Sequence, residues 1–402
     1  MASVKNLAIA LASAGFTVLA AAGQALAVSL SYNSSIGSPG FAPGQLFVPQ
    51  GIGVQDSTNL VFVSNGRGQN PDGSFNPALG NRVDVFDQQG NYIRSVGSGR
   101  QGSGEGLDEP ADLKFSPVNG EMHVGDVFNS EIDVYNPNSG EYIRSYGSFS
   151  GPVPGRFFFG PGGMSFDGDA NLWITDFSGD QIKKYDGTTG DLLGTYGTAG
   201  SGIGQFSGPA GLTVSSNTGR LYVTDQYNGR IQVFQPNASG DELLTPLFTI
   251  GSPGRAPGQL SEAIGIEVDA YENIFVADSV NSRVQVFDRD GNFLSTFGEP
   301  VRNAAGEIVP PPALGGPPFG DPLDLTPGKF NWTAGAHYDD GKLYVGDFFQ
   351  GRVQVLDISY DESTAVPEPS SVLGLAVLGA GAAAFKFSKK RRQKLASQVE
   401  QD

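Results

Sequence analysis

The sequence predicts an all-β chain, a six-bladed β-propeller of four-stranded antiparallel blades, and three observations predict it. A short apolar strand ending in a small residue and an acid or amide recurs six times, from Val61-Phe62-Val63-Ser64-Asn65 to Leu343-Tyr344-Val345-Gly346-Asp347. A strand of alternating apolar and polar residues follows each copy, as in Arg230-Ile231-Gln232-Val233-Phe234. Further segments end in glycine at Gly97, Gly147, Gly197, Gly251 and Gly298. With a Gly-rich inner strand before each copy, this makes four strands in a unit of about 40–50 residues, the size of one propeller blade.

Composition is consistent with this and narrows the chemistry. Of 402 residues, 25 are Lys or Arg and 42 are Asp or Glu, a formal net charge of −17 that argues against a nucleic-acid partner. A 39% hydrophobic content with 10% aromatics can build a core despite 58 glycines and 26 prolines. The absence of cysteine excludes disulfides and thiolate chemistry, and with His123 and His337 as the two imidazoles a three-histidine metal site cannot form.

In chain order, residues 1–27 read as a secretory signal: one cation (Lys5), an apolar stretch Leu7–Ala22 and a small-residue site Ala25-Leu26-Ala27. The mature chain is then expected to begin at Val28. Residues 28–359 are the propeller. Six units show only five closing outer strands, and Leu30–Gly37, which matches Phe293–Gly298, supplies the sixth. The chain's own beginning thus completes its last blade, and ring closure removes open sheet edges. Two insertions interrupt the period: Gly66–Gly80 between the second and third strands of blade one, and Glu299–Phe330 before blade six. Propeller topology places both on one face, where they are expected to meet, and long loops on a rigid scaffold are where binding resides.

Residues 360–366 form a tether. Residues 367–394 hold Pro367-Glu368-Pro369, an apolar run, and a basic flank of Lys386, Lys389, Lys390, Arg391 and Arg392. They read as a short transmembrane anchor with residues 395–402 in the cytoplasm, because cytoplasmic flanks are enriched in Lys and Arg. The tether leaves from the face opposite the insertions, so the insert-bearing face is expected to point away from the membrane.

This tail resembles the PEP-CTERM sorting signal, whose recognised positions here would be Val366, Pro367, Glu368 and Pro369. The resemblance implies an exosortase-type transpeptidase as partner and an exported, envelope-anchored location. The body resembles NHL repeats: Asp225 to Arg230, Asp278 to Arg283 and Asp347 to Arg352 share one spacing. Blades two and three depart from it with Glu131 and Gln181 in place of Arg, and blade one with Asn65 in place of Asp, so an internal ion pair is in doubt there.

Three sets of candidate residues emerge. The repeated Asp126, Asp176, Asp225, Asp278 and Asp347, with Arg230, Arg283 and Arg352, read as structural caps and ion pairs, although a ring of carboxylates is also what Ca²⁺ prefers. Inner strands carry glycine at one position (Gly51, Gly163, Gly211, Gly265, Gly335), where backbones approach the axis, and blade two has Asp112 there. Two residues on lie Gly53, Lys114, Ser165, Thr213, Glu267 and His337, so Asp112, Glu267 and His337 are the candidate channel trio. Phe128, Phe177, Tyr227, Phe348 and Phe349 follow the blade Asp and are candidates for a binding face, or for wedges between blades. The expectation is a binding or scaffold propeller with a protein or extracellular polysaccharide partner, no catalytic residue and no cofactor. The alternative is a calcium-dependent propeller hydrolase, lactonase or lyase using the channel carboxylates.

Overall fold

The computed structural model describes residues 27–361 apart from 71–73, 98–105, 157, 238–242 and 310–321. The signal segment, the sorting motif and the basic flank of the tail lie outside the described residues. Within 27–361 the strands form six four-stranded antiparallel sheets, each built from consecutive strands except the last. The sixth blade orders Ala27–Ile36 beside Arg352–Asp361, then Lys342–Asp347 and Thr333–Asp339. Val28 pairs with Tyr360 and Ile36 with Val353, with one register shift between Tyr32 and Ser34. The expected closure by the chain's own N-terminal strand is therefore present, and Ala27 and Asp361 end together on one side.

Second strands are the core. In blades two, four and five (Met122–Asp126, Leu221–Asp225 and Ile274–Asp278) every residue is buried, because both faces of the strand are covered by neighbouring blades. Between blades, five of the six linkers insert a fully buried apolar plug. Leu46, Leu107, Phe206, Leu260 and Phe330 are fully buried at the foot of the interblade clusters. The Gly-Gln-Leu/Phe strings position these plugs by a side-chain turn, since Gln45, Gln205 and Gln259 each accept the N–H of the residue three before (Ala42, Gly202, Ala256). Short parallel pairings, such as Thr198–Ala199 with Gln205–Phe206, seal the same turns.

A left-handed residue leads into the inner strand in all six blades, directly before it at Val48, Glu109, Gly160, Gly208 and Trp332 and four residues before it at Glu262. The turn is thus architectural, and two blades use glycine while four carry a side chain at a backbone cost of about 1–3 kcal/mol.

The repeated acid ties each blade to the linker that enters it. Asp108, Ser150, Ser207, Ser261 and Asn331 donate their backbone N–H to Asp126, Asp176, Asp225, Asp278 and Asp347, and in blade one Phe47 donates to Asn65. The ion pairs follow the repeat: Arg230–Asp225 and Arg283–Asp278 at 2.8 Å, Arg352–Asp347 at 3.0 Å. Two of the three divergent blades restore the pair by other residues. Lys183 reaches Asp176 at 2.8 Å in blade three, and in blade one the acid has moved to Asp84, which Arg82 meets at 2.8 Å. Blade two holds both acids, Asp126 and Asp133, fully buried and with no cation beside them among the described residues.

The Gly66–Gly80 insertion differs from the expected loop. The second and third strands of blade one simply continue through it, as Leu60–Gln69 and Phe75–Phe86, paired as far as Gln69 and Phe75. Extending an existing hairpin pairs backbone groups that a free loop would leave unpaired. In the blade-six linker, Arg302 and Ile308 bridge in a tight turn, and Ile308 and Val309 lie beside Arg255, Ser279 and Ser282 near blade five.

Candidate functional site

Glycine at the axis is a steric requirement. A Cβ on Gly335 would lie 1.7 Å from the carbonyl oxygen of Gln50, and one on Gly211 would lie 2.0 Å from that of Ile264, so neighbouring inner strands touch backbone to backbone. Asp112 breaks this row and uses its carboxylate across the seam: Oδ2 accepts the Met164 N–H of blade three at 2.9 Å.

Around Asp112 the polar positions converge. Lys114 Nζ reaches across the axis to Glu267 Oε1 at 2.9 Å and lies 3.9 Å from Asp112 Oδ2. Thr213 donates to Glu267 Oε2 at 3.2 Å. His337 Nε2 accepts the Val54 N–H at 3.2 Å, which leaves the ring proton on Nδ1, 3.7 Å from Glu267 Oε1. The three expected residues are together, but the residue that organises them, Lys114, was read only as part of a polar row.

Electrostatics follow from that lysine. Burial pushes the Glu267 carboxyl up, but Lys114 and the nearby His337 ring outweigh it and hold it at about 2. Burial also raises Asp112, which Lys114 only partly offsets. Lys114 itself is pushed down by burial and held above its ordinary value by Asp112 and Glu267. The arrangement is a lysine clamped by one ionised carboxylate with a second, more easily protonated acid beside it. Among the described residues no group of three or more His, Asp or Glu is placed to hold a metal ion. His123, the other imidazole, is fully buried in blade two, shares a hydrogen bond with the Tyr146 hydroxyl at 2.8 Å and is kept neutral by burial, with its pKa at about 3.

Above the charged cluster an axial cavity of about 70 Å³ opens between glycine backbones and Phe158, Phe159, Phe177 and Gln226. That is several times the space one water requires. Its mouth belongs to an aromatic belt whose ring centroids run Trp332–Phe349 (6.1 Å), Phe349–Phe348 (4.8 Å), Phe348–Phe158 (6.3 Å), Phe158–Phe177 (5.9 Å) and Phe177–Tyr227 (5.8 Å). Of the five expected aromatics, Phe177, Phe348 and Phe349 are buried floor, while Phe128 and Tyr227 are 41% and 37% exposed. Phe128 stacks edge-on against Phe159 at 4.6 Å. Arg156 lies over both Phe177 and Tyr227 and pairs with Asp180 at 2.8 Å. Phe158, Phe159 and Arg156 were missed, although the run Arg156-Phe157-Phe158-Phe159 in a polar linker was a visible signal.

Residues 206–234 match the NHL repeat, and residues 365–392 match the PEP-CTERM protein-sorting motif. The chain is an NHL-repeat six-bladed propeller with a PEP-CTERM sorting motif. The motif marks this NHL propeller as an exported, surface-sorted substrate of exosortase processing. It is 29% identical over 276 residues to the peptidylglycine alpha-amidating monooxygenase of Rattus norvegicus, covering 59% of this chain and 26% of that protein. NHL repeat-containing protein 3 of Mus musculus is 35% identical over 150 residues, 34% of this chain and 42% of that protein. The propeller thus spans about a quarter of the length of the amidating monooxygenase it matches. Among solved structures, an auxiliary nutrient binding protein from Bacteroides thetaiotaomicron superposes with a TM-score of 0.56 at 14% identity over 83% of this chain and 77% of that one. A putative gluconolactonase gives 0.51 at 13% identity, over 83% and 93%. These two likenesses show the fold alone.

Proposed function

We propose that the exported NHL propeller is a binding module whose insert-bearing face engages extracellular polysaccharide through the aromatic belt. The observation that carries this reading is the pair Phe128 and Tyr227, exposed above buried aromatic rings that hold them at fixed positions beside the channel mouth. A flat ring on a rigid floor loses little entropy on binding and stacks well against a sugar face. The channel beneath supports the same reading, because its acids are already engaged by Lys114. The test is retention of the full-length protein on polysaccharide from the producing cells. Phe128→Ala with Tyr227→Ala is expected to weaken retention at least about tenfold, the scale of one good aromatic contact; unchanged retention would refute it.

The second reading, a calcium-dependent lactonase or lyase, draws on Asp112, Glu267 and His337 converging below the axial cavity. Against it stands Lys114, whose ammonium lies between the two carboxylates where a divalent cation would have to sit. Metal analysis with calcium-dependent melting separates the two readings. A melting shift of several degrees abolished by Glu267→Ala would favour the enzyme.

A further inference from the structure

A second cavity, of about 200 Å³, lies away from the axis at the seam of blades five and six. Its described walls are Arg255, Ser279, Val280, Ser282, Ile308, Val309, Asn331 and Trp332. Nothing in the repeat calls for it: Ile308 and Val309 come from the blade-six insertion, and the others from the frame beneath.

Two of its wall residues carry side-chain donors that lack an acceptor. Asn331 is 2% exposed, and its Nδ2 has no hydrogen-bond partner. Trp332 Nε1 also has none. Ser282 Oγ accepts the Trp332 backbone N–H at 3.2 Å, which leaves its own proton to give. Gln350, fully buried behind the cavity wall in the turn that packs against Asn331 and Trp332, adds a third unpartnered donor, Nε2. Arg255 is exposed at the rim with no ion pair among the described residues, in a chain of net charge −17 where cations are scarce. No carboxylate is among the described walls. Buried donors left unsatisfied are costly and call for an explanation in each case, an acceptor being the simplest.

We infer that this cavity binds a small organic monocarboxylate of about the size of one sugar acid. The acid group faces the Arg255 guanidinium, whose planar fork matches a carboxylate, and takes the amide and indole protons as its side chains turn to meet it. One guanidinium offsets one negative charge, which fits a carboxylate better than a phosphate dianion. Val280, Ile308, Val309 and the indole ring form an apolar wall, so the anion carries a carbon skeleton. This goes beyond the aromatic-belt reading and is separable from it, because neither Phe128 nor Tyr227 lines the cavity.

Calorimetric titration of the full-length protein in detergent with D-glucuronate, D-glucose and inorganic phosphate tests the inference. Glucuronate is expected to bind at one site per chain, with glucose and phosphate at least about tenfold weaker, the scale of one lost charge-assisted contact. Arg255→Gln, at an exposed position, should lower glucuronate affinity by the same factor without moving the melting temperature. Trp332→Phe keeps the ring and removes the N–H; it should weaken binding and leave Trp173 fluorescence insensitive to glucuronate. No glucuronate heat at millimolar concentration, equal binding of glucose or phosphate, or an unchanged Arg255→Gln variant would each overturn it. Glucuronate binding that survives in the Phe128→Ala, Tyr227→Ala protein would show the two sites to be independent.

Discussion

Blade two offers the sharpest test of how the repeat balances its charges, through Asp133→Gln. In blade four the positions of Asp126 and Asp133 are held by Asp225 and Gln232, and Gln232 Nε2 donates to Asp225 Oδ2 at 3.1 Å and to the Gln205 carbonyl at 2.7 Å. Blade two instead buries two carboxyls completely. Burial, then repulsion from Asp133, pushes Asp126 up to about 8, and burial pushes Asp133 up to about 7. An acid whose folded pKa exceeds its unfolded value binds more protons when folded, so stability is full below about pH 4 and falls as pH rises toward 7–8. Three units at 1.36 kcal/mol each set an upper limit of about 4 kcal/mol for Asp133. Since charge effects in folded proteins are screened and relaxed, about 2 kcal/mol of gain at pH 8 is expected, with little at pH 4. Gln can keep the acceptor that the Ser145 hydroxyl uses at 2.6 Å. The assay is thermal or urea unfolding of both proteins at pH 4, 6 and 8. Reading the variant against wild type cancels other titrating groups, such as Asp347, which burial raises to about 6 against Arg352. A difference that does not grow with pH would refute the reasoning.

Three further outcomes follow from the same geometry. Arg352→Met leaves Asp347 buried and unpaired and is expected to cost about 3 kcal/mol in urea unfolding, because breaking a buried pair on one side strands the other charge; a loss below 1 kcal/mol would show that the linker N–H and Gln354 suffice. Gly335→Ala places a Cβ 1.7 Å from the Gln50 carbonyl at the seam of blades six and one, and a cost of about 3 kcal/mol is expected, since backbone on both sides cannot give way; wild-type melting would mean the inner strands can separate. Deleting Val28–Ile36 strips the outer strand from Arg352–Asp361, and limited proteolysis should then cut blade six first; an unchanged digestion pattern would deny the closure its role.

Much of the scaffold was legible because the repeat writes short-range contacts into fixed offsets. Asp225 and Arg230 stand five residues apart across one hairpin, so the spacing alone puts them together. Closure was legible because six second strands with five outer strands leave a vacancy that Leu30–Gly37 fits. The compensations in blades one and three were not, since Arg82–Asp84 and Lys183–Asp176 use different offsets for the same charge balance. The strand pairing of the blade-one insertion, Arg67 with Gly80, is not legible in the sequence because it lies outside the repeat's pattern.

What the sequence by itself determined, then, is the number of blades, the order of their strands and the acid or amide that caps each linker, set by contacts within one hairpin or one repeat, and the ring's closure, set by the count of outer strands. Only the tertiary structure decided that Lys114 clamps Glu267, 153 residues away across the axis. It alone decided that Phe158 joins the aromatics of blades three and six, and that an insertion meets blade five over unpartnered amides. Those contacts depend on the radius and rotation at which six sheets close, a property of the whole ring that no local period encodes.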